Sequence, residues 1–145
     1  MLRVSRKADY ALIALKHLAQ YGHSEAWSAA DISSAYGISA PLLAKVLQRL
    51  AKGGLVHARH GSSGGYTLAR DPASITALEV VQAIDGPISI TSCSTHGGDC
   101  DHLSKCTVRE PLRRINDSVL QVLKQVTLLQ LADEEASSPV VGITN

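Results

Sequence analysis

The sequence predicts a mainly α fold with a small β wing: a winged helix-turn-helix followed by a long dimerisation helix. Three observations predict it. Two amphipathic segments, Ala29 to Tyr36 and a cationic one that begins at Ser39, are joined by the short turn Gly37-Ile38-Ser39, the arrangement of a helix-turn-helix. Two β-prone stretches, Leu55 to Arg59 and Tyr66 to Arg70, flank His60-Gly61-Ser62-Ser63-Gly64-Gly65, which reads as a hairpin with a glycine-rich tip. Leu112, Ile115, Val119, Val122, Val126 and Leu129 step by 3-4-3-4-3, a heptad seam suited to pairing with another helix.

At 145 residues the chain is one domain, or one small domain with an appendage. A chain of this size buries roughly 68–70% of its unfolded surface, enough for a core without disulfides. With one Trp, four Tyr and no Phe, that core is built from Leu, Ile, Val and Ala. The expected organisation is a winged helix-turn-helix over residues 1–86, a cysteine-rich loop over 87–107, the dimerisation helix over 108–132 and a flexible tail over 133–145.

The net charge of +1 hides an asymmetry: residues 1–70 hold nine Lys or Arg and three acids, whereas residues 71–145 hold five and ten. A basic half joined to an acidic half directs the first half at a polyanion. Chance clustering of surface charge is the plain alternative. No run approaches the ~18–20 apolar residues that span a bilayer, and Met1-Leu2-Arg3-Val4-Ser5-Arg6-Lys7 lacks the apolar stretch of a signal peptide. The expectation is a cytoplasmic protein, with no membrane partner, whose thiols stay reduced.

The first helix is expected from Arg6 to about Gln20, with Ser5 as N-cap and Gly22 at its end. Ala8, Ala11, Leu12, Leu15, Leu18 and Ala19 form its apolar stripe, with Asp9 and Ile13 off it. Ser28 caps the second helix and Gly37 closes it. In the third, Ser39 is the cap and Pro41 occupies the first turn, where a missing N–H costs nothing. Leu43, Val46, Leu47 and Leu50 face inward there, while Pro41, Lys45, Gln48, Arg49 and Lys52 fall on other faces. Asp71-Pro72 breaks the hairpin, and a fourth helix spans about Thr76 to Asp85 with Leu78, Val81 and Ile84 apolar. The longest helix is expected from Val108 to about Leu131, about 36 Å at ~1.5 Å per residue. One winged-helix body is too small to cover its seam, so a symmetric homodimer is the simplest partner, packing on its own domain being the alternative.

Two constellations carry chemistry. The third helix presents Ser39, Pro41, Lys45 and Arg49 to a DNA groove, where Ser and Lys bond base edges or phosphates and Arg can bond guanine in bidentate fashion. In the wing, Gly64, Gly65 and the neighbouring Tyr66 let backbone approach a phosphate ridge, and Arg59 and His60 reach into a minor groove. A double-stranded operator is therefore the expected partner, with a protein-binding winged helix as the rival. The second constellation is Cys93, Cys100 and Cys106, spaced C-x6-C-x5-C in a polar, glycine-containing segment. Three cysteines are too odd a count for a closed disulfide set. Structural zinc favours C-x2–4-C pairs; the looser spacing suits a wider inorganic core such as an iron–sulfur cluster, with zinc or three unrelated thiols as alternatives. A fourth ligand is open among His96, His102, Asp99, Asp101 and the distant Asp9. No nucleotide loop, nucleophile elbow or HExxH helix is present, so neither an enzyme nor a small-molecule substrate is expected.

Several stretches together resemble one family. They are Asp9-Tyr10-Ala11-Leu12, Asp31-Ile32 through Gly37-Ile38-Ser39, Leu50-Ala51-Lys52-Gly53-Gly54-Leu55-Val56, Gly64-Gly65-Tyr66-Thr67-Leu68-Ala69, and Ile75 through Pro87, followed by the three cysteines. Over roughly residues 1–131 the chain is similar to the Rrf-two family of winged-helix bacterial regulators, in its IscR/NsrR-like part. Cys106-Thr107-Val108-Arg109, Arg114-Ile115-Asn116 and Val126-Thr127-Leu128 look like the branch that regulates SUF iron–sulfur assembly.

The resemblance implies a homodimeric, cluster-dependent repressor of iron–sulfur assembly genes, with a 4Fe–4S cluster favoured and 2Fe–2S as the alternative. It also bears on the fourth ligand. The position of the histidine found three residues after the last cysteine in one branch is Arg109 here, which is no ligand. In another branch an aspartate of the first helix, from the other subunit, completes the cluster, and Asp9 matches it. The metal set implied is Cys93, Cys100, Cys106 and Asp9, with His96 or His102 as the next candidates. A nitric oxide- or redox-sensing repressor would use the same cluster, and a zinc or thiol interaction module is the remaining alternative.

Overall fold

The computed structural model describes residues 3–90 and 107–133. Cys93, Cys100, Cys106, His96, His102 and the tail from residue 134 lie outside the described residues. Helix α1 (Arg6–Tyr21) starts where Ser5 turns its hydroxyl to accept from the Ala8 N–H at 3.1 Å. Its buried face carries Ala8, Ala11, Ala14, Leu15, His17, Leu18 and Ala19. The alanines let neighbouring helices approach closely, so α1 becomes the central element against which the others pack.

Helix α2 (Ala29–Tyr36) is capped by Ser28, which accepts from the Asp31 N–H at 3.1 Å. Gly37 ends it in the left-handed region, φ 66°, where a side chain would be strained. Helix α3 (Ala40–Lys52) buries Leu43, Val46, Leu47 and Leu50, as its sequence stripe predicts. Ser39 stands at the cap position but makes no side-chain cap bond, so its exposed hydroxyl is not engaged in holding the helix. Strands β1 (Val56–Arg59) and β2 (Gly65–Leu68) pair antiparallel, Val56 opposite Leu68 and Arg59 opposite Gly65, which is the expected wing. A 3-10 turn at Pro72–Ser74 leads to α4 (Ala77–Asp85). That helix opens with a capping box in which Thr76 and Glu79 each satisfy the other's backbone N–H. Its inward residues are Ala77, Val80, Val81 and Ile84, and of the apolar positions Leu78, Val81 and Ile84 only Leu78 is left half-buried.

The single long helix expected over 108–132 is two helices. Helix α5 (Arg109–Gln125) stops at Val126, whose backbone is extended at φ −85° and ψ 122°, and α6 (Leu128–Asp133) begins at once. Two interactions outweigh helix continuation. The segment between them pairs with the entry to α4, through Ala77 N–H to Val126 O at 2.8 Å and Leu128 N–H to Ile75 O at 2.9 Å. Leu128 is thereby buried to 0% exposure, stabilising by about 1.5–3 kcal/mol. Thr127 and Gln130 also form a reciprocal cap at 2.9 and 3.3 Å. Helix α5 is therefore about 26 Å long at ~1.5 Å per residue. Val126 and Leu129 leave the heptad seam, and Ile115 and Val122 remain on it, 52% and 58% exposed.

Candidate nucleic-acid interface and metal centre

The residues predicted to meet DNA divide in two. Ser39, Pro41, Lys45, Arg49, Arg59 and His60 are all exposed. Lys45 stands on the outward ridge of α3, with Pro41, Gln48 and Lys52 at helical spacing along it. Arg59 ends β1 and His60 follows at the tip of the wing. Gly64, Gly65 and Tyr66, by contrast, are held by contacts within the chain. A Cβ on Gly64 would lie 2.6 Å from Arg59 O and 2.9 Å from Gly61 O, so this glycine closes the turn itself. A Cβ on Gly65 would lie 2.5 Å from the Trp27 carbonyl carbon. Tyr66 exchanges two backbone hydrogen bonds with Trp27, at 2.8 and 3.1 Å, so Trp27, in the link between α1 and α2, forms an isolated antiparallel bridge to the edge of the two-stranded wing.

Trp27 belongs to a cluster that sequence reasoning missed. His17, 4% exposed, meets the Trp27 ring edge-on at 4.4 Å between centroids and the Tyr36 ring at 5.4 Å. Its Nδ1 lies 2.8 Å from the Tyr36 hydroxyl, and Nε2 is buried without a partner among the described residues. Burial holds the imidazole below its ordinary pKa. The signal available was the spacing of His17 and Tyr21, one helical turn apart, but a lone histidine on an apolar stripe does not announce its partners. Gln48, Lys52 and Lys7 were also missed as site residues. They border a groove along α3 together with Lys45 and Arg49.

The segment that leads into the cysteines is held at both of its ends, at Asp85 and at Ile90. At the end of α4 the Asp85 carboxylate accepts from the Ser5 N–H at 3.0 Å and from the Ser5 hydroxyl, which joins α4 to the start of α1. Further on, the Ile90 N–H donates to Asn116 Oδ1 at 3.1 Å. Asn116 is the one residue of α5 that is buried. Asp9, in the first turn of α1, is exposed and forms no ion pair among the described residues. Its carboxylate is thus available as a hard oxygen donor. No group of three metal-ligating side chains occurs among the described residues, and no described helix is long and apolar enough to cross a membrane.

An exposed cationic helix beside a β hairpin, on a body built round α1, defines a winged helix-turn-helix DNA-binding protein. Comparison with known proteins gives the family. Residues 4–134 match the Rrf2 family, described as an iron-dependent transcriptional regulator, and the chain belongs to it. The chain is 33% identical over 141 residues to the HTH-type transcriptional regulator IscR of Escherichia coli, covering 97% of this chain and 86% of that protein. Among solved structures it resembles CymR, the global cysteine regulator of B. subtilis, with TM-score 0.75 and 32% identity over 92% of this chain and 98% of that one. It also resembles T. potens IscR, with TM-score 0.73 and 26% identity over 98% and 96%. These relatives are transcriptional regulators, and this chain is a transcriptional regulator of the same family rather than an enzyme.

Proposed function

We propose that the protein is an iron–sulfur cluster-dependent repressor that acts as a homodimer in the cytoplasm and controls iron–sulfur assembly genes. The observation that carries the reading is the grouping of all three cysteines between the DNA-binding body and α5. The donor chemistry fits a cluster: three soft thiolates from Cys93, Cys100 and Cys106, and the exposed carboxylate of Asp9 as the fourth, labile ligand. A 4Fe–4S cluster is favoured over 2Fe–2S. When bound, such a cluster supplies a redox- and oxygen-sensitive centre whose loss can be read by the protein.

The protein's own residues do the rest. Ser39, Pro41, Lys45 and Arg49 engage the operator, with Arg59 and His60 at the wing. Two α3 helices dock on half-sites roughly 34–36 Å apart. Asp85 and Asn116 connect the ends of the segment that leads to the cysteines with α1 and α5, so a change at the cysteines is felt by both the DNA-binding body and the dimer helix. A coupling of ~1–3 kcal/mol would alter operator affinity about 5–150-fold.

The likeness to CymR favours one second reading, a thiol-based regulator with no cluster. Iron and sulfide analysis of anaerobically purified protein, with DNA shifts on cluster-loaded and cluster-free forms, separates the two. The cluster reading expects a brown protein with iron and acid-labile sulfide and different DNA affinity in the two forms. A colourless, iron-free product would sink it. Asp9→Ala is expected to make the cluster far more labile; unchanged cluster lifetime would move the fourth ligand to His96 or His102.

A further inference from the structure

One concavity on the body is rimmed by cations. Lys7 of α1 and Lys45, Arg49 and Lys52 of α3 surround it, over a floor that includes Val46 and Ile84, and it encloses about 360 Å³. No acidic residue lines it. None of the four cations forms an ion pair among the described residues. Four like charges around one hollow repel one another and raise its positive potential, and an apolar floor strengthens their pull on an anion by lowering the local dielectric.

The geometry of α3 selects the anion. Lys45 and Lys52 lie along the outward ridge, the part that faces base edges when the helix enters a major groove. Arg49 lies to the side: it stands one turn beyond Val46, which is buried, and two turns beyond Leu42, which is half-buried. It therefore rises from the flank where α3 meets α1 and α4. Lys7 faces it from the first turn of α1, whose cap residue Ser5 is anchored to Asp85 of α4. Beside a helix lying in the major groove, the flank is where the sugar–phosphate strand runs.

We propose that this groove is a seat for a backbone phosphodiester of DNA, with Lys7 and Arg49 as its two clamps. Arg49 then fixes the register of α3 and does not read a base. The proposal rests on α3 being the DNA-reading helix and adds a residue, Lys7, from outside the helix-turn-helix.

The test uses the full chain and two duplexes: one of random sequence and one enriched by the wild-type protein from a random pool. Affinity is followed by fluorescence anisotropy across a salt series. Each lost phosphate contact lowers the slope of log affinity against log salt by about 0.9, so removing both clamps, Lys7→Ala with Arg49→Ala, should lower it by about 1.8 in a protein with two half-sites, and each single variant by part of that. Both should weaken the two duplexes by the same factor, and Lys7→Arg should restore the slope. Both side chains are exposed, so the fold is retained. An unchanged slope in both alanine variants would overturn the proposal. Arg49→Ala weakening only the enriched duplex at constant slope would make Arg49 a base reader and overturn it too. Inorganic tripolyphosphate binding tightly to a protein whose slopes do not respond would assign the groove to free polyphosphate instead. Wild-type protein that binds neither duplex would remove the DNA reading of α3, and this proposal with it.

Discussion

The winged body and α5 follow the same amphipathic rule to opposite ends. In the body each apolar stripe meets another: Leu15 of α1, Leu47 of α3 and Val80 of α4 are all at 0% exposure. On α5 the stripe stays open, with Ile115 and Val122 more than half exposed, and its one buried residue is the polar Asn116. The open face forms a groove lined by Ile115, Val119, Val122 and Leu123, with Arg114 and Ser118 at its edge. The body completes its core within one chain. In the proposed dimer α5 completes its own against a second copy, and the same helix holds the end of the segment that leads to the cysteines.

The largest effect should come from breaking this contrast on its open side. Ile115→Asp with Val122→Asp replaces two apolar side chains worth about 1.5–3 kcal/mol each when buried, and two-fold symmetry counts each twice. Dimer dissociation should rise more than 100-fold in sedimentation measurements, while the urea midpoint of the body changes little. A variant that stays dimeric would place the interface elsewhere.

Breaking the closed side is the next largest. Leu128→Ala leaves a cavity beneath α6 and should cost about 2–5 kcal/mol in urea unfolding. A cost well below 1 kcal/mol would mean that α6 is not part of the body's core. The smallest effect concerns His17. Its pKa lies below the ordinary 6.5 because burial disfavours the charged ring. Above that value folded and unfolded chains carry the same neutral imidazole, and stability is unaffected. As pH falls below it, the unfolded chain takes up the proton first, so stability declines until the folded-state value is passed. Chemical denaturation between pH 7.5 and 5 should show this decline in the wild type and less of it in His17→Gln. Equal pH profiles would contradict the burial account.

Much of the body was legible in the sequence because its signals are local. Ser5, Ser28 and Thr76 each sit before a helix and each cap it, and Gly37 closes α2 with positive φ. The stripe Leu43, Val46, Leu47 and Leu50 is periodic and is buried. The misreadings came where a non-local partner decides. Thr76 bridges to Thr127 and Leu128 fills the core, which breaks a heptad that runs unbroken in sequence. The pair Thr127 and Gln130 held the clue, since a threonine followed three residues later by glutamine is a helix start. The wing glycines show the same limit. Composition marks a flexible tip, but only the fold reveals that Gly65 lies against the Trp27 backbone. For the candidate site, Lys45, Arg59 and His60 lie on the surface, as residues meant to meet a polyanion must. It could not show that Lys7 comes to the flank of α3, because that neighbour is set by how α1 packs on α4.

The contrast between the two regions is tested most directly by sedimentation equilibrium of the intact protein, held anaerobic, at micromolar concentration. The account predicts one species at twice the 15.3 kDa chain mass, converting to monomer in the Ile115→Asp, Val122→Asp variant. A wild-type protein that remains at the single-chain mass, with its helices intact by circular dichroism, would contradict it.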